Sequence, residues 1–214
     1  EAVLGQAFGE AGGPDTQLLL RKLAHVDYML MAEFKAPFLL EGGPANTDPN
    51  ASFRIDYERG TAEVHEDVVQ VWAMVPKPTA IHKQPFDVNV YGHGYTGAFL
   101  EQVLYAGNMA EHGLATVGIN AMGHQLVVGQ TEASVAGALL SSACIAPFYR
   151  ALTAGRARDL NLDGVPDSGG DFWTSYVFHT RDAVRQSVLD HLQLVRILRA
   201  FGTNGGRPTR PPHI

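Results

Sequence analysis

The sequence predicts an α/β fold with a mixed, mostly parallel sheet and helices on both of its faces. Three segments support this prediction: a strand at 68–75, a strand–helix–strand succession at 86–120 and an amphipathic helix at 180–201. A strand, a glycine turn, a helix and a second strand in so short a stretch form a βαβ unit. Such a unit requires a right-handed crossover and a parallel sheet covered by helices.

Length and composition indicate a chain with a substantial buried core. It has 214 residues, of which 45% are hydrophobic, and a formal net charge of −6. The charges are scattered and form no basic face that could bind phosphate groups, so we do not expect nucleic acid as a partner. No apolar run approaches the roughly 20 residues that span a bilayer, and we expect no transmembrane segment.

We divide the chain into four segments. Residues 1–67 are predicted to be a lead-in of irregular structure with a strand extension. Residues 68–125 hold a strand pair and the βαβ unit, and residues 126–157 form a helical, lid-like insertion. Residues 158–214 combine an acidic loop of a calcium-binding type with a long helix that packs on the sheet.

Within these segments, local patterns predict the individual elements. The β-branched strands at 68–75 and 86–91 are expected to pair antiparallel, because a turn-rich stretch joins them. Apolar residues at helical spacing predict a helix at 98–112, which Gly113 ends, and a third strand follows at 114–120.

Two further patterns concern the beginning and the end of the chain. Prolines and glycines at 35–50 predict a surface connection that regular structure cannot cross. In the helix at 180–201, we expect one face to pack on the sheet. This face carries Val184, Val188, His191 or Leu192, Val195 and Leu198.

A glycine-rich turn connects the second strand to the helix at 98–112. It contains Gly92, His93, Gly94, Tyr95, Thr96 and Gly97. Backbone N–H groups are unpaired at a helix start and can bind an anion there. Glycines permit a sharp turn, and the His93 side chain can hold the loop by bonding to neighbouring backbone. The absence of a G-x-G-x-x-G pattern argues against a dinucleotide site.

The His93-Gly94 pair, between a strand and a helix, resembles the oxyanion-hole loop of lipases and esterases of the α/β-hydrolase family. The Gly123-His124 pair after the next strand is similar to a pair that the family carries there. The resemblance implies that the Tyr95 backbone N–H binds the oxyanion, and that His124 lies near the substrate pocket. The alternative is that both glycine turns only form tight connections.

An acidic loop precedes the last helix and has the pattern D-x-N-x-D-G-x-x-D. Alternating oxygen donors followed by a glycine allow a short loop to wrap a hard cation, which predicts structural Ca²⁺. Gly170 occupies the twelfth position, so the bidentate Glu of an EF-hand is absent. The alternative is an ordinary Asx-rich surface turn. The predicted ligands are Asp159, Asn161, Asp163, the Val165 carbonyl, Asp167 and Asp171.

The tract at 163–172, together with the residues at 178–185, resembles large secreted bacterial lipase-like hydrolases. This resemblance implies an extracellular, periplasmic or cell-surface location. It also makes His179 a second candidate for the substrate pocket, with Arg181 beside it. The alternative for both residues is a hydrogen-bonded and ion-paired cluster with Asp182 at the helix start.

No Gly-x-Ser-x-Gly pattern of a nucleophile elbow occurs in the chain. The resemblance therefore implies the N-terminal half of a serine-type ester or lipid hydrolase, with a partial sheet. We expect a C-terminal polypeptide or continuation to complete the sheet and supply the serine, acid and histidine. Two alternatives stay open: a non-catalytic calcium-binding or structural protein on the same scaffold, and an amidase or peptidase of the same fold.

Overall fold

The computed structural model describes residues 14–129 and 146–200. Within these ranges the main elements follow one another along the chain as six strands, four α-helices and two short 3-10 helices. They are α1 (Pro14–Leu23), β1 (Val26–Phe38), β2 (Ile55–Asp56), β3 (Thr61–Ala62), β4 (His65–Pro76), β5 (Asp87–Tyr91), a 3-10 helix (Phe99–Gln102), α2 (Val103–Glu111), β6 (Leu114–Ile119), α3 (Ala146–Thr153), a second 3-10 helix (Gly170–Trp173) and α4 (Val177–Ala200).

Four strands form the main sheet in the order β1-β4-β6-β5, and β2 pairs with β3 in a separate antiparallel ribbon. Strands β5 and β6 are parallel, with Asp87 opposite Leu114 and Tyr91 opposite Gly118. Helix α2 joins these two strands, and Gly113 follows it with a positive φ of 75°. The predicted βαβ unit and the α/β class are therefore confirmed.

The predicted antiparallel pairing of 68–75 with 86–91 is wrong. Both segments form strands, β4 and β5, but β6 lies between them in the sheet. A strand pattern identifies each strand from its own residues, whereas the path of the crossover decides which strands become neighbours. Here the crossover through α2 places β6 beside both β4 and β5.

Strand β1 extends into the segment 35–50, which the prolines were expected to keep free of regular structure. It runs through Val26–Phe38 and includes Pro37. Strand β1 lies at one end of the sheet order. On the open side of an edge strand, backbone N–H groups do not pair with another strand, so proline is tolerated there. The irregular connection starts only after Phe38.

The described residues group into two compact units. The first comprises 14–30, 72–91 and 101–118. In this unit α1 packs closely on α2: a Cβ atom at Gly107 would lie 2.5 Å from the backbone carbon of Lys22. Only a glycine at this position permits such an approach, and a Lys22–Glu111 ion pair joins the same two helices.

The second unit comprises 31–71, 92–100, 119–129 and 146–200. Its apolar core includes Phe38, Leu40, Met122 and Ala183. Helix α3 lies within the segment predicted as a lid-like insertion, whose residues 130–145 fall outside the described part of the chain. None of the described helices is long and apolar enough to cross a membrane.

Helix α4 buries several polar residues, and three residues of the face that was predicted to pack on the sheet are exposed instead. Val184, Val188 and Leu192 are 45%, 53% and 52% exposed, and we call these three residues the α4 apolar stripe. The periodicity of the sequence locates an apolar face but cannot say what it contacts. The buried residues of the helix are His179, Asp182, Ala183, Gln186, Ser187, Asp190, Gln193 and Leu194.

Each buried polar group in the centre of α4 has a matching partner. The Gln186 side chain accepts a hydrogen bond from the Leu39 N–H and donates to the Pro37 carbonyl, both at 2.9 Å. Gln186 also donates to Asp190, which forms an ion pair with the buried Arg156. Burial raises the pKa of Asp190, although Arg156 opposes the shift. Such pairing offsets much of the cost of removing polar groups from water.

Asp182 joins α4 to the connection after β1. Its carboxylate accepts hydrogen bonds from Arg181 at 2.8 Å, Arg185 at 2.9 Å and the Phe53 N–H at 2.9 Å. Burial alone would raise the pKa of Asp182, but the hydrogen bonds from these three groups outweigh it. The pKa of Asp182 therefore lies below its ordinary value.

Because the folded pKa of Asp182 is depressed, its contribution to stability is present above the unfolded pKa of about 3.9 and is lost as pH falls through the folded value. We expect Asp182→Asn to lower the free energy of unfolding by roughly 1–3 kcal/mol at neutral pH and to weaken the acid dependence below about pH 4. Urea unfolding followed by circular dichroism at neutral and acid pH measures both effects.

The matched control is Glu58→Gln, since Glu58 is exposed. This change is expected to alter the free energy of unfolding by less than about 0.5 kcal/mol. An Asp182→Asn protein with the same acid dependence as the wild type would contradict the assignment.

Candidate functional site

The glycine turn at 92–97 follows β5, and His93 holds its first half. The His93 Nε2 accepts a hydrogen bond from the Ala121 N–H at 2.9 Å, and Nδ1 contacts the Gly94 carbonyl oxygen at 2.9 Å. Because Nε2 accepts, Nδ1 carries the proton and donates. Both ring nitrogens of His93 are therefore occupied, and the side chain positions the turn without being available as a general base.

Asn120 holds the residues that follow the turn. Its buried Oδ1 accepts a hydrogen bond from the Phe99 N–H at 2.8 Å, at the start of the first 3-10 helix. The sequence patterns did not predict this role. The available signal was a polar residue directly after the β6 strand, at the carboxyl end of a parallel strand, where ligand sites of α/β sheets form.

The turn itself closes through a hydrogen bond from the Gly97 N–H to the Gly94 carbonyl at 3.0 Å. Its two central residues are Tyr95 and Thr96. Thr96 has a φ of +60°, which is a rare conformation for a β-branched residue and costs on the order of 1–3 kcal/mol. Ser168 Oγ donates to the Thr96 carbonyl at 3.3 Å and helps to maintain this conformation.

The Tyr95 backbone N–H donates no hydrogen bond to any part of the chain that the structure describes. Tyr95 is also 57% exposed. A backbone donor that is not bonded within the protein is available to an external acceptor. The structure thus brings the three predicted residues together on one turn: His93 and Gly94 take part in its hydrogen bonds, and Tyr95 presents the donor.

His124 lies behind this turn. Its Nδ1 donates to the Met122 carbonyl at 3.0 Å, and its ring is buried. The ring centroid lies 4.6 Å from that of Phe172, 4.9 Å from that of His93 and 6.2 Å from that of Tyr95. His124 therefore supports the turn from inside and does not line an open surface.

Two glycines allow the loops around the turn to approach one another. The Gly169 N–H donates to the Gly123 carbonyl at 2.7 Å. A Cβ atom at Gly123 would lie 2.7 Å from the Cβ of Asp171, and one at Gly169 would lie 2.9 Å from the Tyr95 ring. Both glycines have positive φ angles, which other residues rarely adopt.

A buried ionic cluster fixes the second 3-10 helix. Arg158 donates to both carboxylate oxygens of Asp171, and His179 Nε2 lies 2.9 Å from Asp171 Oδ1. Arg158 also donates to the Asn46 carbonyl, and His179 Nδ1 donates to the Ala51 carbonyl. Burial alone would raise the pKa of Asp171, but the hydrogen bonds from His179 and Arg158 hold it below its ordinary value.

This cluster changes the interpretation of two candidates. Asp171 was a predicted calcium ligand, yet both of its oxygens already accept hydrogen bonds from Arg158 within the protein. His179 was a pocket candidate, yet it is fully buried and bonded at both ring nitrogens. Arg181 forms the ion pair with Asp182 that the alternative hypothesis described.

The other acidic residues form an exposed loop in which the side chains bond to nearby backbone. Asp159 accepts hydrogen bonds from the N–H groups of Asp163 and Gly164, and Asp163 accepts one from Val165. Asp167 accepts one from Leu160 at 2.9 Å. Within the described ranges, no group of three or more His, Cys, Asp or Glu side chains is arranged to hold a metal ion.

Comparison of the chain with protein-family models, with curated proteins and with solved structures gives no match.

The close approach at Gly123 yields a prediction about stability. Gly123→Ala combines a positive φ with a clash against Asp171, whereas Gly60→Ala has a similar φ of 65° with nothing within 4 Å. We expect Gly60→Ala to cost about 1–2 kcal/mol from backbone strain. Gly123→Ala should cost about 1–3 kcal/mol more, because Asp171 cannot move without disturbing its buried partners. Urea unfolding of the two variants isolates the clash, and equal losses would show that the approach is not tight.

Proposed function

We propose that this chain is the N-terminal portion of a serine-type ester or lipid hydrolase of the α/β-hydrolase family, and that the Tyr95 N–H belongs to its oxyanion hole. The observation that carries the proposal is the unbonded Tyr95 N–H on a turn whose neighbouring residues are held at His93 and Phe99. A donor contributes most to catalysis when it is already oriented before the reaction begins.

The chemistry explains why such a donor matters. When a serine oxygen bonds to the carbonyl carbon of an ester, the carbonyl oxygen becomes negatively charged. Two backbone N–H groups stabilise this oxyanion in the proposed family, one from the residue after the nucleophile and one from the loop between the third strand and the following helix. Tyr95 would supply the second donor.

The position of the turn supports this assignment. Counted along the chain, β5 is the third of the four strands in the main sheet, and the turn at 92–97 leads from it towards α2. This is the same place in strand order at which the family carries its loop donor. His93 and Gly94 have positioning roles in the proposal and do not exchange protons with the substrate.

The nucleophile, acid and catalytic histidine would come from a C-terminal polypeptide or continuation that also completes the sheet. Helix α4 supports this part of the proposal, because exposed apolar patches in soluble proteins commonly mark interaction surfaces. The α4 apolar stripe borders two open depressions of about 380 and 320 Å³. The first is lined by Ala121, Phe172, Val184, Ser187, Val188, His191, Leu192 and Val195.

Strand β5 supports the same partner independently. It lies at the end of the sheet order among the described strands, and Val88 and Val90 are exposed. A short parallel strand with an open edge and exposed apolar side chains is suited to pairing with another strand.

Calcium binding is a separate part of the proposal, and it concerns Asp159, Asn161, Asp163, the Val165 carbonyl and Asp167. The side-chain oxygens of the first three residues converge on the backbone at 163–165, so a small adjustment would direct them to one cation. Asp171 is not included, because its carboxylate is bound by Arg158. Weak structural binding of this kind suits a calcium-rich environment, and we propose an extracellular, periplasmic or cell-surface location.

The oxyanion role is tested by comparing Tyr95→Pro with Tyr95→Ala in the complete protein that carries the Gly-x-Ser-x-Gly segment. Proline removes the N–H and is favoured at the second position of a turn, whereas alanine removes the ring and keeps the N–H. We expect Tyr95→Pro to lower kcat for a p-nitrophenyl ester by about 10²- to 10³-fold relative to Tyr95→Ala. Equal kcat values in the two variants would overturn the assignment.

Two further observations decide between the proposal and its alternatives. Mass spectrometry of the natural protein should find a polypeptide that bears Gly-x-Ser-x-Gly, and a fluorophosphonate should block the hydrolysis of esters. A natural protein that contains only this chain, folded and inert, would instead favour a non-catalytic calcium-binding protein. Cleavage of amides in preference to esters would favour an amidase or peptidase.

Calcium is tested through thermal stability. For a dissociation constant of about 10⁻⁴ to 10⁻³ M, about 10 mM CaCl₂ should stabilise the fold by roughly 1–3 kcal/mol and raise Tm by several degrees. EGTA should reverse the gain. Asp163→Asn, which preserves the acceptor for the Val165 N–H, should reduce it. Asp48→Asn is the matched control, because Asp48 caps a similar exposed turn at Asn50. A Tm that does not respond to calcium would remove the metal from the proposal.

A further inference from the structure

Two aromatic side chains are in contact at the candidate oxyanion turn, and both are largely exposed. Trp173 is 73% exposed and Tyr95 is 57% exposed. Their ring centroids lie 6.0 Å apart with the ring planes at 81°, an edge-to-face contact. We call this pair the Tyr95–Trp173 ledge.

The exposure of Trp173 does not come from a poorly anchored segment. Trp173 ends the second 3-10 helix, and the two residues before it are held in place. Asp171 is fully buried against Arg158, and the Phe172 ring packs on His124. The helix therefore presents one large aromatic side chain at the surface while its neighbours are fixed.

The Tyr95 ring is held from the other side. It packs on the buried His124, and Gly169 approaches its edge so closely that a Cβ atom there would lie 2.9 Å from the ring. The backbone at Gly169 has a φ of +85°, so the local conformation also suits glycine. The ledge is thus supported from behind by His124 and at its edge by Gly169.

We propose that the Tyr95–Trp173 ledge binds the apolar acyl or aryl group of an ester substrate, which makes Trp173 a specificity-determining residue. This inference rests on the proposed function. If the Tyr95 N–H binds the carbonyl oxygen, the group attached to the carbonyl carbon must lie within a few bonds of that amide. The Tyr95 ring belongs to the same residue as this amide, and the Trp173 ring contacts the Tyr95 ring. Exposed aromatic side chains of this kind commonly mark binding sites.

Trp173 provides the readout, because the other tryptophan, Trp72, is only 3% exposed. Methyl esters of butanoic, hexanoic and octanoic acid are titrated into the chain, and tryptophan emission and acrylamide quenching are recorded. We expect a shift of Trp173 emission to shorter wavelength, weaker quenching, and a Kd that falls about two- to fourfold per added methylene.

Variants test whether the change in emission and the ester affinity depend on the Tyr95–Trp173 ledge. Trp173→Phe should abolish the emission shift and leave only the signal of Trp72. Tyr95→Ala should raise the Kd for methyl octanoate about tenfold, whereas Tyr95→Phe, which keeps the ring, should preserve it. The matched control is Tyr57→Ala, because Tyr57 is another exposed aromatic residue, and it should leave the Kd unchanged.

The inference is overturned if no ester changes the Trp173 signal, or if Tyr57→Ala weakens binding as much as Tyr95→Ala. A response to phosphatidylcholine vesicles without a response to dissolved esters would also overturn it and indicate a lipid surface as the partner.

The complete enzyme separates this inference from the proposed function. Trp173→Ala should lower kcat/KM for octanoyl esters at least about tenfold relative to acetyl esters. An unchanged chain-length preference in an enzyme that loses activity with Tyr95→Pro would overturn the ledge alone. Ester binding at Trp173 without any effect of Tyr95→Pro on kcat would overturn the oxyanion assignment and leave the ledge intact.

Discussion

The buried ion pair between Arg158 and Asp171 is the interaction on which the candidate site depends. It fixes the second 3-10 helix, and this helix places Phe172 against His124. His124 in turn supports the turn that carries Tyr95. An unpaired charge at either end of the ion pair would be costly in a buried position, so the two residues stabilise one arrangement of the surrounding loops. A buried charge pair thus helps to position the turn that carries the Tyr95 backbone donor.

Helix α4 also buries polar side chains that are paired within the protein. It turns Asp182, Gln186 and Asp190 inward, where backbone groups and arginines satisfy them, and leaves the α4 apolar stripe exposed. A helix with this distribution has a buried polar side whose groups are paired and an apolar stripe that is about half exposed. The exposed stripe is one of the observations that support the proposed C-terminal polypeptide or continuation.

Sequence patterns predicted the presence of helices and strands better than the contacts between these elements. The βαβ unit, the glycine turn and the existence of α4 each follow from residues that are close together in the chain. The pairing of β4, the extension of β1 through Pro37 and the inward face of α4 depend on residues that are distant in sequence. Local periodicity contains no information about those distant contacts, and the predictions failed there for that reason.

The sequence by itself determined that the chain has an α/β class and that His93, Gly94 and Tyr95 form a turn between a strand and a helix. These properties depend on backbone preferences and on the spacing of apolar residues. Only the tertiary structure decided that Asn120 bonds to the segment after the turn and that Asp171 forms an ion pair with Arg158. It also decided that Trp173 contacts Tyr95. Those outcomes require segments far apart in the chain to meet, because burial and charge pairing select contacts that no local pattern specifies.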